Sequence, residues 1–284
     1  MEPPSLELPS CETLHLRRRG ATLFVTLNRP EVKNAMNLAM ARELTALLDA
    51  LEDAPGAVRT LVLRGTQGTF CAGGDVKEMA AARREVPAEG QPDPLAQMNR
   101  LFGAMITRVD RAPQAVVAVL EGAVLGGGFG LACVADVAIA RYDASFGLPE
   151  TGLGLVPAQI ATFLVQRLGR SQARRLAVTG GRFDGHTAFE LGLVHVVCHD
   201  RDVEPTLQRV LDRIDRCAPG AIAVTKELIN KVGIEDHEAL LDLCARRFAE
   251  VARGVEGVEA VEAFLAKRPP RWRELGVDRC AIVV

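Results

Sequence analysis

The residues best equipped for chemistry lie in two glycine-rich turns and one isolated carboxylate. Gly126-Gly127-Gly128 stands between the apolar residues Val124-Leu125 and Phe129-Gly130-Leu131-Ala132. Without a Cβ at these positions a backbone can come very close to a ligand. A helix starting there turns its unpaired N–H groups toward any nearby anion. A second turn, Ala72-Gly73-Gly74-Asp75, follows Phe70-Cys71, and Glu150 ends the apolar stretch Phe146-Gly147-Leu148-Pro149. N–H donors for a developing oxyanion, with one carboxylate in an apolar setting, are the equipment for proton transfer beside a carbonyl.

The elements that must position these groups alternate along the chain. Residues 1–11 form a lead-in. Thr22–Leu27 is rich in β-formers and stops at Asn28-Arg29-Pro30. Asn37 is placed to cap a helix whose Met40, Leu44, Leu47, Leu48 and Leu51 share one face. Thr60–Leu63 reads as a strand entering the 72–75 turn, with helices following over Val76–Arg84 and Leu95–Asp110. Between those helices, residues 85–94 carry three prolines and a glycine and read as a mobile surface loop. Strands over Ala115–Leu120 and Asp136–Ala140 bracket the triple-glycine turn and a helix, and helices over 160–178 and Asp184–Gly192 lead to a strand at Leu193–Val197. Repeated strand, turn and helix indicate an α/β core. From Pro205 onward the apolar spacing is helical throughout, dividing the chain into a core over 1–204 and a helical region over 205–284.

Bulk properties exclude several classes. The 284 residues carry a net charge of −2 and 4% aromatic residues, which gives no electrostatic case for nucleic acid or anionic membrane. Seven cysteines at irregular spacing read as free thiols in a reducing compartment, and the start Met1-Glu2-Pro3-Pro4 lacks a signal pattern, so a cytoplasmic location is expected. Cys280 stands one position too early for prenylation. No Gly-x-Ser-x-Gly is present to suggest a serine hydrolase, and neither nucleotide-binding glycine fingerprint is present. His195 and His199 flank Cys198 without further ligand partners, so no metal site is expected. Cys71 is open to two readings, nucleophile or buried thiol. Arg17-Arg18-Arg19 reads as a solvated strand end.

Several motifs, in order, carry a family likeness: Asn28-Arg29-Pro30 through Asn34-Ala35-Met36-Asn37, Phe70 through Asp75, Gly122 through Gly128, Asp136, Phe146 through Glu150, and Lys267-Arg268-Pro269. With these the chain resembles the crotonase, or enoyl-CoA hydratase/isomerase, family along nearly its whole length. The resemblance implies a ClpP-like spiral of ββα units, two stacked sheets surrounded by helices, and C-terminal helices that assemble trimers or hexamers. The ligand it implies is an acyl-CoA thioester, with no cofactor besides the CoA of the substrate. The N–H groups of Ala72 and Gly127 would bind the thioester oxygen as it becomes an enolate. Lys33, Ala35, Gly73, Gly74, Asp75, Val76, Gly126 and Pro149 map to substrate-contacting positions. Phe264 and Lys267 would reach the CoA of an adjacent subunit.

One departure from that pattern matters. Two-carboxylate hydratases of the family have glutamates where this chain has Gly130 and Glu150. With Glu150 alone, an isomerase that moves one proton from C2 to C4 is favoured on catalytic residues. A narrower likeness points back to hydration: Ala123 through Asp136, Gly147 through Thr151 and Leu155 through Ala161 resemble the isohexenylglutaconyl-CoA hydratases of acyclic terpene breakdown, which also lack the first glutamate. Pro157-Ala158-Gln159-Ile160-Ala161 then makes Gln159 the expected residue to orient the water, with a relay through Glu121 as a further route. The leading expectation is a hydratase of branched or carboxylated 2-enoyl-CoA. Its alternatives are a Δ3,Δ2-enoyl-CoA isomerase and a catalytically silent acyl-CoA-binding protein.

Overall fold

Strand-forming residues near the N-terminus begin a hairpin in the computed structural model, which describes residues 6–275 except 86, 88 and 89. Part of the 85–94 connector, and Cys280, lie outside those residues. Strands β1 (Leu14–Arg19) and β2 (Thr22–Leu27) pair antiparallel across the Gly20 turn. β3 (Thr60–Gly65), β4 (Ala115–Leu120), β6 (Val137–Arg141) and β9 (Val196–Cys198) add in parallel, giving the six-stranded order β1-β2-β3-β4-β6-β9. β4 is buried at every position, as a strand covered on both faces must be. A smaller sheet joins β5 (Ala123–Leu125), β7 (Ser145–Gly147) and β8 (Arg182–Phe183).

Helices fill the connections. α1 (Leu38–Asp53) is capped as its sequence predicts, Asn37 accepting from Met40 N–H at 3.0 Å. α2 (Val76–Ala82) and α3 (Pro94–Arg111) follow the first glycine turn, and Asp75 and Asp93 cap them. α4 (Gly127–Val134) begins inside the triple glycine and is buried from Gly128 onward. α5 (Ala161–Thr179) and α6 (Gly185–Glu190) precede β9. The main core lies between the large sheet and α1, α3, α4 and α5, with Phe129, Phe146 and Phe183 meeting at ring-centroid distances of 5.8–6.4 Å.

The last helices are α7 (Val203–Ile214), α8 (Pro219–Lys231), α9 (His237–Arg253) and α10 (Val255–Leu265), and no strand follows β9 among the described residues. The first of these helices packs directly on the core. Val203, Leu207, Val210 and Leu211 of α7 pack on Val62, Val117, Val119 and Ile139, so α7 covers the outer face of the large sheet. The asymmetric burial of that helix face is what removes those valines and Ile139 from water. α8 is fastened to the core by Lys226, whose Nζ donates to Asp136 Oδ2 at 2.6 Å and to the Gln114 carbonyl at 2.7 Å. Among the described residues no helix is long and apolar enough to cross a membrane.

Candidate active site

The two glycine turns and the lone carboxylate converge. The 72–75 turn is held from below by the segment 28–37. Arg29 pairs with Asp75 at 2.9 Å and donates to the Ala35 carbonyl at 2.6 Å. Asn34, fully buried with a positive φ of 54°, receives the Arg29 N–H and donates to the carbonyls of Thr66 and Thr69. Met36 N–H donates to the Gly73 carbonyl and Asp75 N–H to the Met36 carbonyl. These contacts explain why asparagine, arginine and aspartate recur in motifs that carry no reacting group.

They also correct one expected donor. Ala72 N–H donates to the Lys33 carbonyl at 3.0 Å, so it is spent inside the protein and is not available to an oxyanion. Two residues on, the exposed Gly74 makes no hydrogen bond through its N–H among the described residues. On the other turn Gly127, half-buried, is the first residue of α4 and has no acceptor within the helix. Gly73 and Gly126 abut: a Cβ on Gly126 would lie 3.4 Å from Gly73 Cα. Gly74 and Gly127, the next residue in each turn, therefore flank one small space.

The three consecutive glycines have distinct physical tasks. Gly126 adopts φ 49° and ψ −114°, and a Cβ there would stand 3.0 Å from Glu150 Oε1. Gly127 has ordinary surroundings, its Cβ position being 3.6 Å from Met36. Gly128 allows the turns to pack, since a Cβ there would come within 2.7 Å of Cys71 Cβ. Simple close packing thus accounts for Gly128.

Glu150 is carried to this space by β7 and the turn after it. Gly126 N–H donates to the Gly147 carbonyl, and the Glu150 carbonyl accepts from Leu153 and Leu155 N–H at 2.9 Å each. Its Oε2 is buried and has no hydrogen-bond partner among the described residues. Burial raises its pKa above the usual carboxylate range, against a smaller opposing effect of backbone hydrogen bonding. A carboxyl so placed holds a proton to higher pH than an exposed glutamate does.

Other expected groups are located elsewhere. Gln159 lies against α3: its Nε2 donates to Asn99 Oδ1 at 2.9 Å, and its Oε1 packs over Gly103, where a Cβ would come within 1.9 Å. It makes no described hydrogen bond with Glu150. Glu121 is not a relay, being buried in a two-bond pair with Arg64 at 2.6 and 3.0 Å. Cys71 is fully buried, and desolvation pushes its thiol up to about 11, which settles it as an inert thiol. His195 accepts the Ala138 N–H on Nδ1 at 2.9 Å, whereas His199 stacks on Tyr142. The Asp75 carboxylate is committed to Arg29 and to the N-terminus of α2, leaving its backbone for any ligand. Lys33 and Val76 are exposed beside the turn, Ala35 and Pro149 half-buried. Phe264 is exposed in α10 and Lys267 follows it; neither has a described contact with the turns.

Gly130 is closed off by aliphatic side chains. A Cβ there would lie 2.5 Å from Ile160 Cγ2 and 3.0 Å from Ile106 Cδ1. At the start of α4 Gly126 therefore meets the Glu150 carboxyl, and at Gly130 the neighbours are the hydrocarbon of Ile160 and Ile106.

Comparison with known proteins agrees with this geometry. The pattern of the enoyl-CoA hydratase/isomerase family matches residues 17–275. The enoyl-CoA hydratase ACTT6 of Alternaria alternata is 34% identical over 264 residues, covering 91% of this chain and 83% of that protein. Among solved structures, an enoyl-CoA hydratase/isomerase from Marinobacter aquaeolei superposes with a TM-score of 0.89 at 50% identity, covering 93% of this chain and all of the other. AtuE of Pseudomonas aeruginosa does so with a TM-score of 0.87 at 52% identity, over 92% of this chain and all of that one. The family pattern spans most of the chain and these structures share its fold, so the chain belongs to the enoyl-CoA hydratase/isomerase family, with the crotonase fold.

Proposed function

We propose that this enzyme adds water across the double bond of a 2-enoyl-CoA, with Glu150 as the only proton-transfer group. The observation that carries the reading is the half-buried Glu150 carboxyl: raised in pKa, with Oε2 buried and unpartnered and Oε1 facing Gly126, the residue before Gly127. Gly74 and Gly127 N–H groups bind the thioester oxygen. Losing one such donor costs about 2.7–4 kcal/mol of transition-state stabilisation.

A single carboxylic acid can complete the addition. Its O–H gives the proton to C2 while water oxygen bonds to C3 and the water proton passes to the second carboxyl oxygen. Glu150 ends as it began, protonated, and no second acid is consumed. CoA enters only as part of the substrate. Branched or carboxylated acyl chains of the isohexenylglutaconyl type are the substrates proposed, on the likeness in residues 123–136, 147–151 and 155–161.

The second reading is Δ3,Δ2-enoyl-CoA isomerisation, favoured by the hydrocarbon filling above Gly130. There Glu150 acts as the base and must start ionised. Assembly is proposed through α9 and α10, where Phe248, Val255, Val261 and Phe264 expose large apolar surface that a trimer or dimer of trimers would cover. Phe264 and Lys267 would then meet the CoA of a neighbouring copy. The test is the mass of products from a panel pairing 2-enoyl and 3-enoyl thioesters, with and without β-branching and a terminal carboxylate. A product heavier by one water supports hydration. A shifted double bond at unchanged mass replaces it with isomerisation, and binding without turnover leaves the silent acyl-CoA-binding protein.

A further inference from the structure

Ile160 and Gln159 form a unit that the reaction so far does not use. Gly126, the N-cap of α4, and Gly130, in its first turn, are linked by the Gly130 N–H donating to the Gly126 carbonyl at 3.0 Å. Glu150 covers the first and Ile160, with Ile106, covers the second. Four residues of helix span about 6 Å. On the proposed reading, a 2-enoyl chain with its C1 oxygen at Gly74 and Gly127 and with C2 and C3 at Glu150 would extend along this spacing, with the atoms beyond C3 directed to the Ile160 side of α4.

Ile160 itself is held by its neighbour. It stands just before α5, and Gln159 bonds to Asn99 on α3 across a gap that exists only because residue 103 is glycine. A glutamine amide held through Nε2 by Asn99 and seated over Gly103 restrains the backbone of the residue that follows. We propose that Ile160 is the back wall that sets acyl-chain specificity beyond C3, and that Gln159, latched to Asn99, is its positioning residue. The wall is hydrocarbon, so what it fits is the apolar branch of the acyl chain beyond C3; on a substrate branched at C3, a carboxylated branch is directed away from Ile160. This inference rests on the acyl-CoA reading above.

The experiment compares wild type, Ile160→Ala and Gly130→Ala/Ile160→Ala on crotonyl-, 4-methylpent-2-enoyl- and 4,4-dimethylpent-2-enoyl-CoA. The ratio of kcat/KM for the bulky chains to that for crotonyl-CoA should rise about tenfold or more in Ile160→Ala, the scale of one or two methylenes in an apolar pocket. Refilling the space with the second alanine should bring the ratio back toward wild type. Asn99→Leu, which removes the acceptor, should shift the ratio in the same direction, and Asn99→Asp, which retains it, should not. If Ile160 were core packing alone, Ile160→Ala would lower the unfolding temperature with unchanged ratios, and that result overturns the proposal. Calorimetric binding of butyryl-CoA against 4-methylpentanoyl-CoA supplies a readout independent of turnover. Should wild type bind these and convert nothing, the hydratase reading fails while the wall is still judged on the binding ratio. Failure to bind either thioester overturns both.

Discussion

Replacing the three consecutive glycines one at a time by alanine should give three different outcomes. At Gly127 the new methyl meets only Met36, at 3.6 Å, an ordinary contact, and stability should change by less than about 1 kcal/mol, the helix-propensity scale. At Gly126 the backbone, φ 49° and ψ −114°, is one that side-chain-bearing residues rarely adopt, at a cost of about 1–3 kcal/mol. Its methyl would also stand 3.0 Å from Glu150 Oε1, several tenths of an ångström inside normal contact, and push the carboxyl away from the substrate. Misplacement on the ångström scale costs on the order of 100-fold in rate, so Gly126→Ala should lose about 10- to 100-fold in kcat. At Gly128 the methyl would collide with Cys71 Cβ at 2.7 Å and the Cys71 carbonyl at 2.9 Å, backbone and stem atoms that cannot swing aside. Overpacking of this kind costs about 1–3 kcal/mol, with the damage in stability more than in chemistry. Thermal unfolding read beside kcat on a turned-over thioester separates the three. At about 2–4 °C per kcal/mol for a chain of this size class, Gly128→Ala and Gly126→Ala should melt several degrees lower and Gly127→Ala close to wild type. Equal losses at all three positions would refute the division of tasks among the glycines.

Further outcomes follow from the same geometry. Glu150→Gln should lower kcat by about 10²–10⁴-fold with little change in unfolding temperature, the range for losing a positioned acid or base; retained full activity would contradict both enzymatic readings. The pH profile distinguishes those readings, because hydration by protonated Glu150 is lost as pH rises through its raised pKa, and isomerisation by ionised Glu150 is lost as pH falls through it. His195 is held neutral: burial first, and then Arg167, lower its pKa, with Asp136 opposing, while Nδ1 accepts the Ala138 N–H. Its folded pKa thus lies below the unfolded value near 6.5, so the unfolded state takes up the proton first on acidification. Urea-unfolding free energies should fall from about pH 6.5 downward, and the slope should flatten in His195→Gln. If the protein assembles through α10 as proposed, Phe264→Asp should lower the mass found by sedimentation; a monomeric wild type, or a mass unchanged by the substitution, would refute that contact.

Much of the fold was legible because its signals are local. The Asn37 cap, the apolar face of α1, the burial of Ala115–Leu120 and the helix start at the triple glycine each depend on residues within a few positions of one another. The likeness to the family supplied the order of the motifs and brought Glu150 into the site. What the sequence did not disclose depends on partners far apart. The Ala72 N–H meets the Lys33 carbonyl, 39 positions upstream, which no spacing signals, and Gly74 is therefore the donor proposed in its place. Gln159 faces Asn99, 60 positions away, so an amide that the sequence places close after Glu150 is held against α3. The glutamate before the glycine turn is consumed by Arg64 from β3. α7 reads as amphipathic in any setting, and only its contact with Val117 and Ile139 places it on the sheet.

The central claim is that water is added to C3 by one carboxyl group. Incubating the preferred 2-enoyl-CoA in ¹⁸O-labelled water and fragmenting the product gives the most direct measurement. The account predicts a product heavier by one labelled water, the label on C3 and a solvent proton on C2, formed by wild type and suppressed in Glu150→Gln. A product of unchanged mass with its double bond moved, or labelling that persists at full rate in Glu150→Gln, would contradict it.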